Sequence, residues 1–386
     1  MRERAALSEH FDTRCIHANH GFHESTRAVS FPIYQTATFG HIGLGQSTGF
    51  DYTREKNPTR EHLEEIMTGL EGGVDTCAFA SGMAAVAACF ELFSPGDHIV
   101  CSEDLYGGTI RLFDQVSRKN GLSISYADTS NPVDIEAAIR SDTVCLFIET
   151  PSNPMMNVTD LKECRRIADE HGLLVIADNT FLSPCLQNPI ALGADLVLHS
   201  GSKFIGGHND TISGFVTSRT EALAERVRLI LKTTGGALSP FDSWLVIRGL
   251  KTLALRMERQ ERNAQAIARW LREQPEVTEV FYVGLEDHPG YAVNAAQARG
   301  AGAMISFRTS TPEVAKRVLE GIHLITFAES LGGTESLITY PMVQTHPDVP
   351  EDVRQRLGIT DTLLRLSVGI ENVEDIRDDL ARALAG

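Results

Sequence analysis

The chain has 386 residues, 42% of them hydrophobic and 22% charged, a mixture that can bury a core. Thirty-five basic against fifty-one acidic side chains leave a net charge of −16, and no basic cluster offsets it. Nucleic acid is therefore excluded as a partner. The opening Met1-Arg2-Glu3-Arg4 has no apolar leader, and no stretch approaches the ~18 apolar residues of a membrane span. Seven scattered cysteines without a C-x-x-C read as reduced thiols, several in apolar strand contexts such as Cys77 and Cys145. The expectation is a cytoplasmic protein with no membrane partner and no metal.

In chain order, residues 1–47 are rich in Thr, Gly, Phe and His with little periodicity, and read as an extended N-terminal arm. His17, His20 and His23 stand three apart there, but no cysteine or carboxylate set accompanies them, and a metal site is not inferred. Residues 48–243 read as a large domain of strands alternating with helices. Short apolar runs at 76–79, 99–101, 144–148, 173–177 and 196–198 are separated by amphipathic segments. In one of these, Leu161, Cys164, Ile167 and Ala168 share a helical face. That rhythm predicts an α/β fold, a mostly parallel sheet with helices on both faces, with ligands beyond the carboxyl ends of its strands. Residues 244–386 read as a smaller C-terminal α/β domain. A long helical stretch at 241–273 is followed by strands near 280–283, 304–307 and 364–367 and a closing helix from about 373.

Three strand ends carry chemistry. After the run at 196–198 comes His199-Ser200-Gly201-Ser202-Lys203, one lysine among hydroxyls and glycines. Another strand ends in Asp178-Asn179-Thr180, 203 − 178 = 25 residues before the lysine. A third leads into Ser81-Gly82-Met83, a small turn opening a helix whose free N–H groups suit a phosphate. An amine for a Schiff base, a phosphate cradle and a carboxylate for a pyridine nitrogen are what pyridoxal phosphate requires. The sequence has no G-K-[ST] and no G-x-G-x-x-G after a strand, so other phosphate loops are excluded.

Eight motifs in order resemble the γ-subfamily of pyridoxal-phosphate enzymes of cysteine and methionine metabolism, which includes cystathionine γ-synthase and γ-lyase. They are Tyr52-Thr53-Arg54 with Asn57-Pro58-Thr59, Ser81-Gly82-Met83, Tyr106-Gly107-Gly108, Glu149-Thr150-Pro151-Ser152-Asn153-Pro154, Asp178-Asn179-Thr180, Ser202-Lys203, Ser330-Leu331-Gly332-Gly333 and Arg365-Leu366-Ser367. The resemblance implies an aspartate-aminotransferase-like fold (fold type I) and γ-elimination or γ-replacement on a γ-substituted L-amino acid. β-Elimination, a relative expelling an unusual leaving group such as a halide, and a non-catalytic binding relative are the alternatives. Lys203 would carry the cofactor and shuttle protons, Asp178 would pair with the pyridine nitrogen, and Tyr106 would stack on the ring. Ser81, Gly82, Met83, Ser200 and Ser202 would hold the phosphate. Arg365, with Asn153 and Ser330, would bind the substrate carboxylate, a task suited to the guanidinium fork. Tyr52 and Arg54 would reach the phosphate of a neighbouring subunit, implying a homo-oligomer with shared active sites, typically a tetramer built from dimers. Asp51 and Glu329 adjoin matched motifs and are candidate substrate contacts; an acid at 329 would favour a distal ammonium group. Gly108 stands where methionine γ-lyases usually carry a cysteine.

Overall fold

A computed structural model describes residues 10–17, 26–347 and 349–386. His20 and His23 lie outside the described residues. The first sheet has seven strands: β1 (Asp75–Phe79), β2 (His98–Ser102), β3 (Ser123–Ala127), β4 (Thr143–Glu149), β5 (Leu174–Asp178), β6 (Leu196–Ser200) and β7 (Gly214–Ser218). Their order across the sheet is β1-β7-β6-β5-β4-β2-β3, and only β7 runs antiparallel to its neighbours. β4 reads Thr-Val-Cys-Leu-Phe-Ile-Glu, a near-continuous apolar run, because both faces of this sheet are covered. On one face Ile99, Cys145, Phe147, Ile176 and Leu198 pack with residues of the helices Gly82–Phe90 and Glu221–Thr234. On the other, Val100, Leu146, Val175 and Val197 meet Leu161, Cys164, Ile167 and Ala168 of the helix Leu161–His171, the face its periodicity predicts.

A second, five-stranded sheet comprises β8 (Val277–Phe281), β9 (Met304–Thr309), β10 (Thr326–Phe327), β11 (Leu337–Thr339) and β12 (Leu363–Ser367), in the order β10-β11-β12-β9-β8. Two expectations differ from the structure. The arm is not wholly extended: helix α1 (Phe11–His17) buries Cys15, and Arg14 donates to the Gly69 carbonyl at 2.9 Å. The predicted single helix at 241–273 is two, Pro240–Leu250 and Leu253–Leu271. Buried Arg256 sits at the break, donating to Gly249 O at 3.0 Å and to Phe204 O at 2.6 Å, so it caps one helix and holds the lysine loop.

Helix α2 (Pro58–Glu71) joins the arm to the first sheet. Asn57 caps it by accepting from Thr59 N at 3.0 Å, Pro58 supplies a preset φ, and Gly72 ends it at φ 78°. All seven cysteines are free and six are buried. Among the described residues no helix is long and apolar enough to cross a membrane.

Candidate active site

A cavity of about 570 Å³ opens beyond the carboxyl ends of β4, β5 and β6. Ser81, Gly82, Met83, Tyr106, Asn153, Asp178, Ser200, Ser202, Lys203, Glu329, Ser330 and Arg365 all line it. Strand alternation explains why Asp178 and Ser200 meet there. Both share the face of Ile176 and Leu198, on which helix α3 (Gly82–Phe90) packs.

Ser81 caps α3, its Oγ accepting from Ala84 N at 3.0 Å, so the N–H groups of Gly82 and Met83 remain at the cavity wall. The helix start is pressed against β6. A Cβ at Gly82 would lie 2.9 Å from both Cβ and Oγ of Ser200. Two N–H groups, the positive end of α3 and the hydroxyls of Ser200 and Ser202 form a cradle for a dianion. Asp178 Oδ1 accepts from Thr180 N at 2.9 Å and from Thr180 Oγ1 at 2.5 Å, and Thr180 Oγ1 in turn accepts from Ser200 N at 2.9 Å. Burial pushes the Asp178 carboxyl up, while Thr180's two donors and the nearby His199 pull it back.

Lys203 Nζ donates to Ser330 Oγ at 2.7 Å. Burial, reinforced by the Arg365 charge and opposed by Glu329, brings its amine down to about 8. Ser330 adopts φ 84°, a left-handed conformation that costs a non-glycine residue about 1–3 kcal/mol. In that conformation its hydroxyl faces the lysine while its carbonyl accepts from Arg365 Nη2 at 3.1 Å. Arg365 is 2% exposed; Nη1 donates to Asn153 Oδ1 at 2.8 Å and Nη2 to Thr339 Oγ1 at 3.2 Å. Among the described residues its buried Nε has no partner. Burial lowers its pKa to about 10.

Tyr106 opens helix α4 (Gly107–Leu112), its backbone N–H donating to Glu149 Oε2 at 3.2 Å. A Cβ at Gly108 would come within 2.4 Å of the Tyr106 ring, so the glycine noted in the sequence is what lets the ring lie there.

Asp51, Tyr52 and Arg54 are not brought to this cavity within the chain. Asp51 is exposed and accepts from Ser47 Oγ at 2.6 Å, with His41 Nε2 at 3.4 Å. Arg54 lies 5.4 Å from the Tyr52 ring centroid and donates to Lys232 O, in the last turn of the helix Glu221–Thr234. Glu329 is exposed at the cavity mouth. Sequence reasoning missed Thr180, Glu149 and Thr339 as site residues. The spacing Asp178-x-Thr180 was a legible signal for the first, since such a turn bonds its own acid. Thr339 faces Arg365 only through the pairing of β11 with β12.

The donor set fits pyridoxal phosphate: a dianion cradle, an amine of lowered pKa and an acid, together at one strand-end cavity. That defines a pyridoxal-phosphate pocket. The family model for "Cys/Met metabolism PLP-dependent enzyme" matches residues 12–385, and the chain belongs to that family. It is 50% identical over 376 residues to a cystathionine gamma-synthase of Haemophilus influenzae, covering 97% of each chain. It is 47% identical over 372 residues to a cystathionine beta-lyase of Lactococcus lactis subsp. cremoris, covering 96% of this chain and 98% of that one. The crystal structure of a cystathionine gamma-lyase from Lactobacillus plantarum, complexed with L-serine, matches with a TM-score of 0.95 at 43% identity, covering 97% of this chain and 98% of that one.

Proposed function

We propose that the protein eliminates or replaces the γ-substituent of an L-amino acid of the cystathionine type, with pyridoxal phosphate held in this cavity. The observation that carries the reading is the Lys203–Ser330–Arg365 chain, which sets a proton-moving amine beside a carboxylate-binding guanidinium. When bound, the cofactor supplies an electron sink that stabilises negative charge developing on the amino acid's α- and β-carbons. Gly82, Met83, Ser200 and Ser202 would hold its phosphate, and Asp178 would pair with its ring nitrogen. Arg365 and Asn153 take the substrate α-carboxylate and fix the α-carbon near Lys203 Nζ. With a pKa lowered to about 8, that amine takes and returns protons near neutral pH, and Ser330 Oγ holds it in place. Tyr106, which lines the same cavity, would pack against the cofactor ring. Addition of a thiol completes replacement; water instead gives a 2-oxo acid and ammonia.

Similarity to the Lactococcus beta-lyase supports a second reading, β-elimination from cystathionine. Product identification with cystathionine, with O-acetylhomoserine plus cysteine, and with methionine separates the two. Borohydride reduction followed by peptide mapping tests the cofactor site itself. The pyridoxyl group is expected on Lys203, and a label on another lysine rejects the assignment.

The assembly we propose is a homo-oligomer with shared sites, a tetramer built from dimers. Supporting it, Tyr52 and Arg54 lie outside their own cavity, just after an arm on which Ile42 is 73% exposed. The two separate sheets support a division into an arm (1–47), a cofactor-binding domain (48–243) and a C-terminal domain (244–386). Free, buried cysteines support a cytoplasmic setting.

A further inference from the structure

Asp178 has a carboxylate neighbour that takes no part in the work of Lys203 and Arg365. Glu149 ends β4 as Asp178 ends β5, and the two are direct register partners. Glu149 shares the face of Cys145 and Phe147, so both carboxyls point into the cavity they line. Register partners on neighbouring strands set the two acids side by side in one cavity, where burial and like charge oppose ionisation of both.

Donor supply decides which one keeps the charge. Asp178 takes two hydrogen bonds from Thr180, one from a hydroxyl at 2.5 Å. Glu149 is only 7% exposed, and among the described residues its carboxyl accepts a single hydrogen bond, from the Tyr106 backbone N–H at 3.2 Å. The remaining charged groups facing Glu149 are Asp104, from the loop after β2, and Arg365 of β12. Asp104 is itself buried, accepting from Met155 N at 3.0 Å and from Ser152 Oγ. Arg365 is already engaged by Asn153, Ser330 and Thr339. Burial first, and then the Asp178 charge, push the Glu149 carboxyl well up. Paired acids in environments that drive their proton affinities apart take different roles.

We propose that Glu149 is a positioning residue that works as the neutral acid of this pair, holding Tyr106 while Asp178 carries the charge facing the cofactor. Tyr106 begins α4 with no side-chain cap, so the Glu149 oxygen fixes the backbone from which the ring is aimed. The carbonyl oxygen of a neutral carboxyl accepts that N–H as well as an amide oxygen would. Glutamine should therefore replace Glu149, although asparagine should not replace Asp178. The inference rests on pyridoxal phosphate occupying this cavity.

The full-length chain, stripped of cofactor, is titrated with pyridoxal phosphate by absorbance and calorimetry between about pH 6 and 9; thermal unfolding of each apoprotein checks its fold. For Glu149→Gln the dissociation constant is expected within about threefold of wild type, with the same pH dependence. For Glu149→Ala a loss of about tenfold is expected as the Tyr106 N–H is orphaned. Asp178→Asn is expected to weaken binding by more than either. The proposal is overturned if Glu149→Gln weakens binding as much as Asp178→Asn, or shifts the pH dependence by a unit. Binding by a folded Glu149→Ala variant as tight as wild type also overturns it. If the wild-type apoprotein binds no pyridoxal phosphate, the functional reading fails instead.

Discussion

Replacing Thr180 by Val keeps the side chain's shape and removes one hydroxyl, which makes it a sharp test of how Asp178 stays ionised. The backbone bond from residue 180 to Asp178 Oδ1, 2.9 Å long, survives. Two others go: the 2.5 Å hydroxyl bond to Oδ1 and the 2.9 Å bond that the hydroxyl accepts from Ser200 N. A hydrogen bond to a charged group is worth about 1.5–3 kcal/mol, so the carboxylate form loses roughly that much against the neutral acid. Burial already pushes this carboxyl up, and the Thr180 hydrogen bonds are the largest influence opposing it. Without it the Asp178 pKa rises further, and more acid remains protonated at a given pH. The sign follows: the acidic limb of the pH–rate profile moves upward by about 1–2 units, since 1.36 kcal/mol corresponds to one unit. Cofactor affinity should fall by about 10–100-fold at neutral pH and partly recover in alkali. The assay is titration of the apoprotein with pyridoxal phosphate across pH, with Thr180→Ser as the control that retains a hydroxyl. Wild-type affinity and an unmoved acidic limb in Thr180→Val would refute the reasoning.

Two further expectations concern the assembly and the substrate. An Arg54→Ala chain and a Lys203→Ala chain, each defective alone, should regain activity when co-expressed, because a mixed dimer holds one site with both native residues; no recovery in isolated heterodimers places both residues in one chain's site. Glu329→Val should reduce the preference for cystathionine over methionine, read as the ratio of kcat/KM values. Because the carboxylate is exposed at the mouth, the change is expected to be about two- to fivefold, and an unchanged ratio removes Glu329 from specificity.

The sequence by itself determined the class of fold and the chemistry. Apolar runs of strand length ending in polar residues marked β1, β2, β4, β5 and β6, since strands buried on both faces must be apolar throughout. Lys203, Asp178 and Ser81-Gly82-Met83 were legible because strand ends and helix starts carry local signatures. Edge strand β3, with its alternating Ser-Ile-Ser-Tyr-Ala, and β7 went unread, as did the break between the helices Pro240–Leu250 and Leu253–Leu271. That break depends on Arg256 meeting the lysine loop 52 residues away, a contact no local pattern encodes. The tertiary structure alone decided that Arg365 meets Thr339 and that Glu149 lies beside Asp178. Each depends on strand register or on a close approach between distant segments. Local propensity fixes which residues end a strand; only the packed sheet fixes which of those ends are neighbours, and the electrostatics of the site follows from that adjacency.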